Sequence, residues 1–301
     1  MEKVLVVDGG FGWVKWLYGE GRGKFRSCYK RVGGELIWGE RALLESGSRY
    51  LRTVEELMEM YPEIVREVER VSGVKERGYL VLGLPYGYFE SVDVESVEEF
   101  RGRVRRRCGY SEVMVFPQGL GGVKWYLRLL RDRGVEVEGN VLGIDIGFNT
   151  VIVVLYSVME RRILIGRTYY RKGVYDLAVN LLYPRVERFV RGRSLTPIEL
   201  NYLMESGYLQ VGFDRVDLRP EVGEAVEEYV RDLLGFIVHD LKASLGVVTF
   251  GRVVFFGGGS FWLRGRVSGR SVIVDVLEDA EFANAYGFRE RAIEVIGEGV
   301  R

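Results

Sequence analysis

Short apolar runs alternate with longer amphipathic segments along the first half of the chain. Strands are predicted from runs rich in Val, Leu and Phe at 4–7, 13–18, about 25–30, 79–85 and 112–119. Helical spacing extends over 53–73, 94–109 and 120–134. Thr53 and Glu56 form a capping-box start for the first of these helices, and Pro62 predicts an interruption within it.

The second half shows the same order of patterns after a polar stretch at 134–140. Strands are predicted at 141–146, 151–157, 162–170, 252–259 and 271–276. Helices are predicted within 173–190, 195–209 and 220–246, with a final helix from about Asp279. This order predicts two related α/β domains that face each other across a cleft. We assign residues 1–140 and about 285–301 to the first domain and residues 141–284 to the second.

One segment occurs twice, once in each half of the chain. "VLVVDGGFGWVKW" begins at Val4 and "VLGIDIGFNTVIVV" begins at Val141. When the two are aligned, the acids Asp8 and Asp145 coincide, and so do the pairs Val4/Val141, Leu5/Leu142, Gly10/Gly147, Phe11/Phe148 and Val14/Val151. Glycine turns of this kind expose backbone N–H groups that can bind an anion. Two of them could hold a polyphosphate from both sides, with Mg²⁺ bound through water to the two acids; the alternative is ordinary hairpin-turn chemistry.

A third glycine-rich element, "VVFFGGGSFW", ends a predicted strand with Gly257, Gly258 and Gly259. Backbone without side chains lets a flat ring or a phosphate approach closely, and Ser260 is predicted to cap a helix there. The sequence contains no GxxxxGK followed by Ser or Thr, which excludes a P-loop.

Composition narrows the class of protein. The 301 residues are 47% hydrophobic, enough for a large core, and the 43 basic residues balance the 43 acidic ones, so direct nucleic-acid binding is not expected. The two cysteines lack metal-ligand spacing, and the N-terminal apolar run is too short for a signal peptide. No apolar segment approaches the roughly 20 residues of a membrane span, so we expect a cytoplasmic protein without membrane insertion. Only two Gln and five Asn beside many Arg and Glu indicate a thermophilic source.

These motifs, in this order, resemble those of the actin, Hsp70 and sugar-kinase superfamily. "DGGFGWVK" resembles its phosphate 1 loop, "GIDIGFNT" its phosphate 2 loop and "VVFFGGGS" its adenosine motif. "GLP" at 83–85 and "FANAYG" at 282–287 are similar to elements of the ParM-like and archaeal actin-like branch. The resemblance implies two ribonuclease H-like domains with a nucleotide cleft between them, and an ATPase that polymerises into filaments.

The resemblance and the charges together suggest a role for each site residue. Gln118 matches a Gln or Glu that orients the attacking water, Asp8 and Asp145 hold hydrated Mg²⁺, and Lys15 neutralises phosphate charge. Phosphate-binding N–H groups are expected from Gly10, Phe11, Gly12, Gly147, Phe148 and Asn149, while Gly257, Gly258 and Gly259 face the sugar and base. Lys242 resembles the adenine-flanking lysine of actin, although Ala243 stands where the family usually has an acid.

Two functions are therefore carried forward. The first is a filament-forming, cytoskeletal or plasmid-segregating ATPase that uses ATP or GTP with Mg²⁺, binds further copies of itself and can work with a DNA-binding adaptor protein. The alternative is a small-molecule, sugar-type kinase, for which Asp176 is a candidate base unless it caps the following helix. His239 is the only histidine and is interpreted as structural.

Overall fold

The first half of the chain builds two sheets. The structure is a computed structural model that describes residues 4–298 apart from 191, 193, 246–248 and 270. The strands are β1 (Val4–Gly9), β2 (Trp13–Tyr18), β3 (Gly21–Arg26), β4 (Cys28–Val32), β5 (Glu35–Trp38), β6 (Arg49–Tyr50), β7 (Tyr79–Leu84) and β8 (Glu112–Pro117). The helices are α1 (Glu40–Leu43), α2 (Val54–Ser72), α3 (Tyr86–Ser91), α4 (Val94–Cys108) and α5 (Leu120–Asp132). A large sheet has the order β3-β2-β1-β7-β8, and a small one the order β5-β4-β6.

The second half builds a large sheet of the same design. Its strands are β9 (Asn140–Ile146), β10 (Thr150–Ser157), β11 (Arg162–Tyr170), β14 (Arg252–Phe256) and β15 (Ile273–Val276), and a separate hairpin consists of β12 (Tyr208–Val211) and β13 (Asp214–Asp217). The helices are α6 (Val174–Asp176), α7 (Tyr183–Val186), α8 (Pro197–Ser206), α9 (Arg219–Leu245) and α10 (Ala283–Glu298). A π-helical segment (Leu177–Leu182) joins α6 to α7, and short 3-10 segments lie at Glu187–Phe189, Gly258–Leu263 and Ala280–Phe282.

The two large sheets share one topology. The second has the order β11-β10-β9-β14-β15, so each sheet is a three-stranded antiparallel meander followed by two strands parallel to its first strand. Strands β1 and β10 are buried along their whole length, because the sheets are covered on both faces. The repeated order of patterns in the sequence is confirmed. Across the described ranges, no helix is long and apolar enough to span a membrane.

Each half of the chain sends one helix to the sheet of the other half. Helix α5 follows β8, yet its Val123 and Tyr126 share a core with residues of the second sheet such as Val154. Helix α10 follows the second sheet, and its Ala285 and Phe288 pack with residues of the first sheet. The sheets are therefore joined by two crossing helices. The division into domains at 140/141 stays a prediction, and the predicted helix end at 246 and domain end at 299–301 lie outside the described residues.

The strand predicted near 25–30 is divided by Ser27 into β3 and β4, which belong to different sheets. Ser27 is bound to the turn after β1: its N–H donates to the carbonyl of Gly12 over 3.0 Å, and its hydroxyl donates to the carbonyl of Gly10. These bonds direct the chain away from the large sheet and stabilise the turn after β1.

The predicted interruption at Pro62 is wrong, since α2 is continuous from Val54 to Ser72. A proline lacks the N–H that would bind the carbonyl four residues earlier, here that of Met58. Arg103 of α4 donates to this carbonyl from Nη2 over 3.3 Å. A partner distant in sequence therefore compensates for the missing helical bond.

The ends of two other predicted elements also differ from the structure. The helix expected over 195–209 ends at Ser206, and Tyr208 begins a strand. Ser260 caps no helix: it lies within a 3-10 segment, and its hydroxyl donates to the carbonyl of Gly257 over 2.8 Å.

Candidate functional site

The two copies of the repeated segment form two equivalent hairpin turns. In the first, the N–H of Gly10 donates to the carbonyl of Trp13 over 3.1 Å. In the second, the N–H of Gly147 donates to the carbonyl of Thr150 over 2.8 Å, which joins the two matching positions of the other copy. The turns meet, because a Cβ atom placed on Gly12 would lie 2.7 Å from Cβ of Phe148. The sequence repeat thus becomes a pair of facing turns from two sheets.

A cavity of about 400 Å³ lies beside the facing turns. It is lined by nearly all the residues that the sequence singled out: Asp8, Gly10, Phe11, Gly12, Lys15, Gln118, Asp145, Gly147, Phe148, Gly257, Gly258 and Gly259. Asn149 does not line it; its carbonyl accepts a hydrogen bond of 2.7 Å from the N–H of Arg171. The structure therefore brings together three glycine-rich segments that are far apart in sequence.

Asp8 is held at the end of β1 with 1% of its surface exposed. Gln118 donates from Nε2 to Oδ1 of Asp8 over 2.7 Å and to the carbonyl of Gly9 over 3.0 Å. Lys15, the β2 residue paired with Asp8, has its Nζ 3.6 Å from Oδ2 of Asp8. The carboxylate thus has one neutral donor and one cation beside it.

Asp145 occupies the equivalent position at the end of β9 and is 6% exposed. Its Oδ2 accepts a hydrogen bond of 2.6 Å from Nδ2 of Asn284. Burial raises the pKa of Asp145 to about 6; the negative charge of Asp8 adds to this effect, and the Asn284 hydrogen bond and Lys15 oppose it. Gly257 has a φ of +81°, and a Cβ there would lie only 2.2 Å from Oδ1 of Asp145. A larger residue at 257 would therefore collide with the acid.

The charges around the cavity indicate that a phosphate ligand would need a cation. Six acidic side chains and three basic ones line it: Asp8, Asp145, Glu205, Glu278, Asp279 and Glu281 against Lys15, Lys24 and Arg264. The described residues contain no group of three or more His, Cys, Asp or Glu that could hold a metal by themselves. Mg²⁺ commonly binds through one or two carboxylates, water and substrate phosphates. Asp8 and Asp145 fit that mode, in which the phosphates complete the site.

Three residues considered from the sequence lie elsewhere. Lys242 and His239 are exposed on α9 and do not line the cavity. Asp176 does not line it either: its Oδ1 accepts a hydrogen bond from Asn180, and its Oδ2 is 3.7 Å from Nζ of Lys172. Asp176 is the N-cap residue of the π-helical segment, but its side chain makes no capping hydrogen bond there, and it is not a cavity carboxylate.

Several cavity residues were not identified from the sequence. Among them are Asn201 and Glu205 of α8, Phe261 and Trp262 of the 3-10 segment after Gly257, and Asn284 of α10. The rings of Phe261 and Trp262 pack edge to face with centroids 5.2 Å apart. The scarcity of Gln and Asn was the signal available in the sequence. The chain has seven of these residues, and three of them line this one cavity: Gln118, Asn201 and Asn284.

Comparison with solved structures shows what this architecture is similar to. Ta0583, an archaeal actin homolog in complex with ADP, is 20% identical with a TM-score of 0.74, over 97% of this chain and 99% of that one. MreB 5 of Spiroplasma citri bound to AMPPNP is 12% identical with a TM-score of 0.70, over 99% and 98%. ParM in a 15-stranded filament from Clostridium botulinum is 16% identical with a TM-score of 0.68, over 98% and 100%.

These similarities extend over nearly the whole chain and confirm the prediction of an α/β protein with the actin fold. No protein-family model matches the sequence, and no curated protein sequence matches it. The residue roles proposed from the sequence remain a separate question from the fold.

Proposed function

We propose that this protein is a nucleotide-dependent, filament-forming ATPase of the actin-like kind. The observation that carries the proposal is the pair of facing turns, each with a buried acid at its base, beside one cavity. Two features of the neighbours support it: some were solved with ADP or AMPPNP, and one was solved as a filament.

The phosphates would bind in the cavity beside the two facing turns. The N–H groups of Gly12 and Phe148 lie within the turns, and neither donates to another backbone group among the described residues. Both are therefore available to an anion. Lys15 adds a positive charge beside Asp8. Mg²⁺, when bound, would offset the charge of the phosphates and of the two acids.

Gln118 would position the water that attacks the terminal phosphate. Its Nε2 is engaged by Asp8 and by the carbonyl of Gly9, which fixes the orientation of the amide. Oε1 has no hydrogen-bond partner among the described residues and can accept a hydrogen from water. An amide is a poor base, so its contribution is positioning for in-line attack.

The proposed partner of the protein is another copy of itself. Nucleotide binding between the sheets would favour one arrangement of the two halves, and hydrolysis would release it, which makes assembly depend on the γ-phosphate. A cytoplasmic cytoskeletal role, or plasmid segregation with a DNA-binding adaptor, would follow from such assembly. A sugar-type kinase is the weaker candidate, because Asp176 lies away from the cavity.

Sedimentation and electron microscopy test the proposal. Purified protein is expected to pellet as filaments with Mg²⁺ and ATP or GTP and to remain in the supernatant with EDTA, and its turnover should rise cooperatively with protein concentration. Turnover that requires an added sugar would instead favour the kinase.

A pair of glutamine variants tests the catalytic part. Gln118→Ala should hydrolyse saturating nucleotide about 10²-fold more slowly, because the attacking water loses its orientation. Its affinity for the Mg²⁺–nucleotide complex should also fall, because Asp8 loses a hydrogen-bond donor. Gln210→Ala is the matched control, since Gln210 is exposed on β12 and does not line the cavity. Equal turnover by the two variants would contradict the role of Gln118, and absence of nucleotide binding by the unmodified protein would contradict the whole proposal.

A further inference from the structure

One buried side chain connects the second acid of the site to both crossing helices. Asn284 lies in the first turn of α10 and is 5% exposed. Its Nδ2 donates to Oδ2 of Asp145 over 2.6 Å. Its Oδ1 accepts from the backbone N–H groups of Gly119 and Gly122, each over 3.0 Å. The amide therefore uses its donor on the acid and its acceptor on the beginning of α5.

This arrangement replaces a cap that α5 lacks. Gly119 is the N-cap residue of α5 and has no side chain to accept from the first N–H groups of the helix. Asn284 supplies that acceptor from another helix. The same N–H groups form the positive end of the α5 dipole, which a polar acceptor stabilises.

The position of Asn284 is fixed by close contact between the helix backbones. A Cβ on Gly121 would lie 2.7 Å from the carbonyl oxygen of Asn284, and a Cβ on Gly287 would lie 1.8 Å from the carbonyl oxygen of Gly121. Helices α5 and α10 thus touch through glycines, without side chains between them. The backbone of Asn284 is therefore part of this helix contact, and its amide is held by the three hydrogen bonds described above.

The first acid joins the same network through the preceding residue. Gln118 donates to Asp8 and directly precedes Gly119, whose N–H donates to Asn284. A short path of hydrogen bonds and one peptide unit therefore leads from Asp8 through the α5 N-terminus to Asp145. Both acids are oriented by amides located where α5 and α10 cross.

We propose that Asn284 is a positioning residue that holds Asp145 ready for the metal–nucleotide complex and couples its binding to the α5–α10 crossing; this inference rests on the proposed nucleotide function. Carboxylates that bind a metal commonly depend on such hydrogen-bond partners, whose loss lowers metal affinity by about 10- to 100-fold. Asparagine is suited to the place because one neutral group both donates to the acid and accepts from the helix.

The test measures nucleotide affinity with and without the metal. The quantity is the ratio of the Kd of a fluorescent ADP analogue in EDTA to its Kd in Mg²⁺, determined for folded protein at a temperature well below its Tm. Asn284→Ala should lower this ratio about 10-fold. Asn284→Ser, which can still accept from a helix N–H but lacks the amide donor, should lower it similarly and serves if the alanine variant does not fold.

Thr53→Ala is the matched control for a lost helix cap. The hydroxyl of Thr53 accepts from the N–H of Glu56 at the start of α2, and Thr53 does not line the cavity. Its loss should lower the Tm and leave the affinity ratio unchanged. Hydrogen exchange provides the second measurement: Mg²⁺–ADP should slow exchange in residues 119–126 of the unmodified protein, and this response should be lost in Asn284→Ala.

The outcomes separate the inference from the function on which it rests. A folded Asn284 variant whose affinity ratio stays within twofold of the unmodified protein overturns the positioning role and leaves the nucleotide function standing. If Thr53→Ala lowers the affinity ratio as well, Asn284 acts only through general stability, and the positioning role is again overturned. If the unmodified protein binds no nucleotide, the proposed function and this inference both fall.

Discussion

The hydroxyl of Tyr61 joins the ends of two strands directly behind the first acid. Tyr61 projects from α2 and is fully buried. Its Oη accepts from the N–H of Gly9 over 3.1 Å and donates to the carbonyl of Gly83. Gly83 is paired with Asp8 at the end of the parallel pairing of β1 and β7, and Gly9 directly follows Asp8. Burial and the nearby charge of Asp8 raise the pKa of Tyr61, so the hydroxyl keeps its proton.

Tyr61→Phe should destabilise the protein although the ring stays in place. The substitution leaves one buried N–H and one buried carbonyl without partners, and each loss costs about 1–3 kcal/mol, which sums to about 2–6 kcal/mol. At ~2–3 °C per kcal/mol for a chain of this size, the Tm should fall by roughly 4–18 °C. Nucleotide affinity should also fall, because the support behind the first turn is weakened.

Differential scanning calorimetry measures this change, with Tyr110→Phe as the control. Tyr110 packs in the same core cluster, and its buried hydroxyl makes no hydrogen bond of standard geometry with the described residues, although burial and the nearby Glu69 carboxylate raise its pKa. Its replacement should leave the Tm unchanged or raise it slightly. A Tm within about 2 °C of the unmodified protein for Tyr61→Phe, or equal losses in both variants, would refute the reasoning.

Three further substitutions follow from the site and its surroundings. Gly257→Ala should abolish nucleotide binding in a fluorescence titration, because its Cβ would lie 2.2 Å from Oδ1 of Asp145. Gly251→Ala, which has no atom within 4 Å of its Cβ and does not line the cavity, should bind normally; similar affinities would contradict the packing argument. Asp145→Asn should be more stable than the unmodified protein by up to ~3 kcal/mol above pH 6 in EDTA. The raised pKa of Asp145 stabilises the unmodified protein below about pH 4, and this stabilisation is lost as the pH rises through about 6. Urea unfolding measures the difference, and the same pH profile for both proteins would disprove it. Gly166→Ala should lower the Tm by several degrees, because its Cβ would lie 2.0 Å from the ring of Tyr86. Combining it with Tyr86→Ala should relieve the collision. If the effects of the two substitutions on stability simply add in a double-mutant cycle, the collision is not the cause.

Local patterns predicted the strands of the two large sheets and the twin turns well, but not the small sheet or the separate hairpin. The strand at 13–18 was predicted with its observed bounds, and the turns at Gly10 and Gly147 follow from the repeated acid and glycine, because such turns are made within a few residues. Gln118 was assigned because it matches the water-orienting Gln or Glu of the superfamily that the motifs resemble, and it does line the cavity. Its catalytic role stays a prediction, as do the roles of the other site residues.

Contacts between distant segments limited what the sequence could show. The amphipathic pattern of α5 indicates that one face is buried, but the same pattern would serve whichever sheet covers it. Pro62 predicts a break in α2, because the sequence does not show that Arg103 donates to the Met58 carbonyl, which lacks its helical partner. The FANAYG motif contains Asn284, but the motif does not reveal what this side chain contacts, because the groups it bonds to lie 139 and 165 residues away.

The exchange of helices between the sheets has a consequence during translation. One face of the first sheet, which includes Val6 and Val81, is completed by Phe282, Ala285 and Phe288, which are synthesised only after the whole second sheet. A nascent chain that has reached only β15 would still present this apolar face to water. Ribosome-bound intermediates should therefore depend on chaperones until α10 emerges, and such dependence should end with its synthesis.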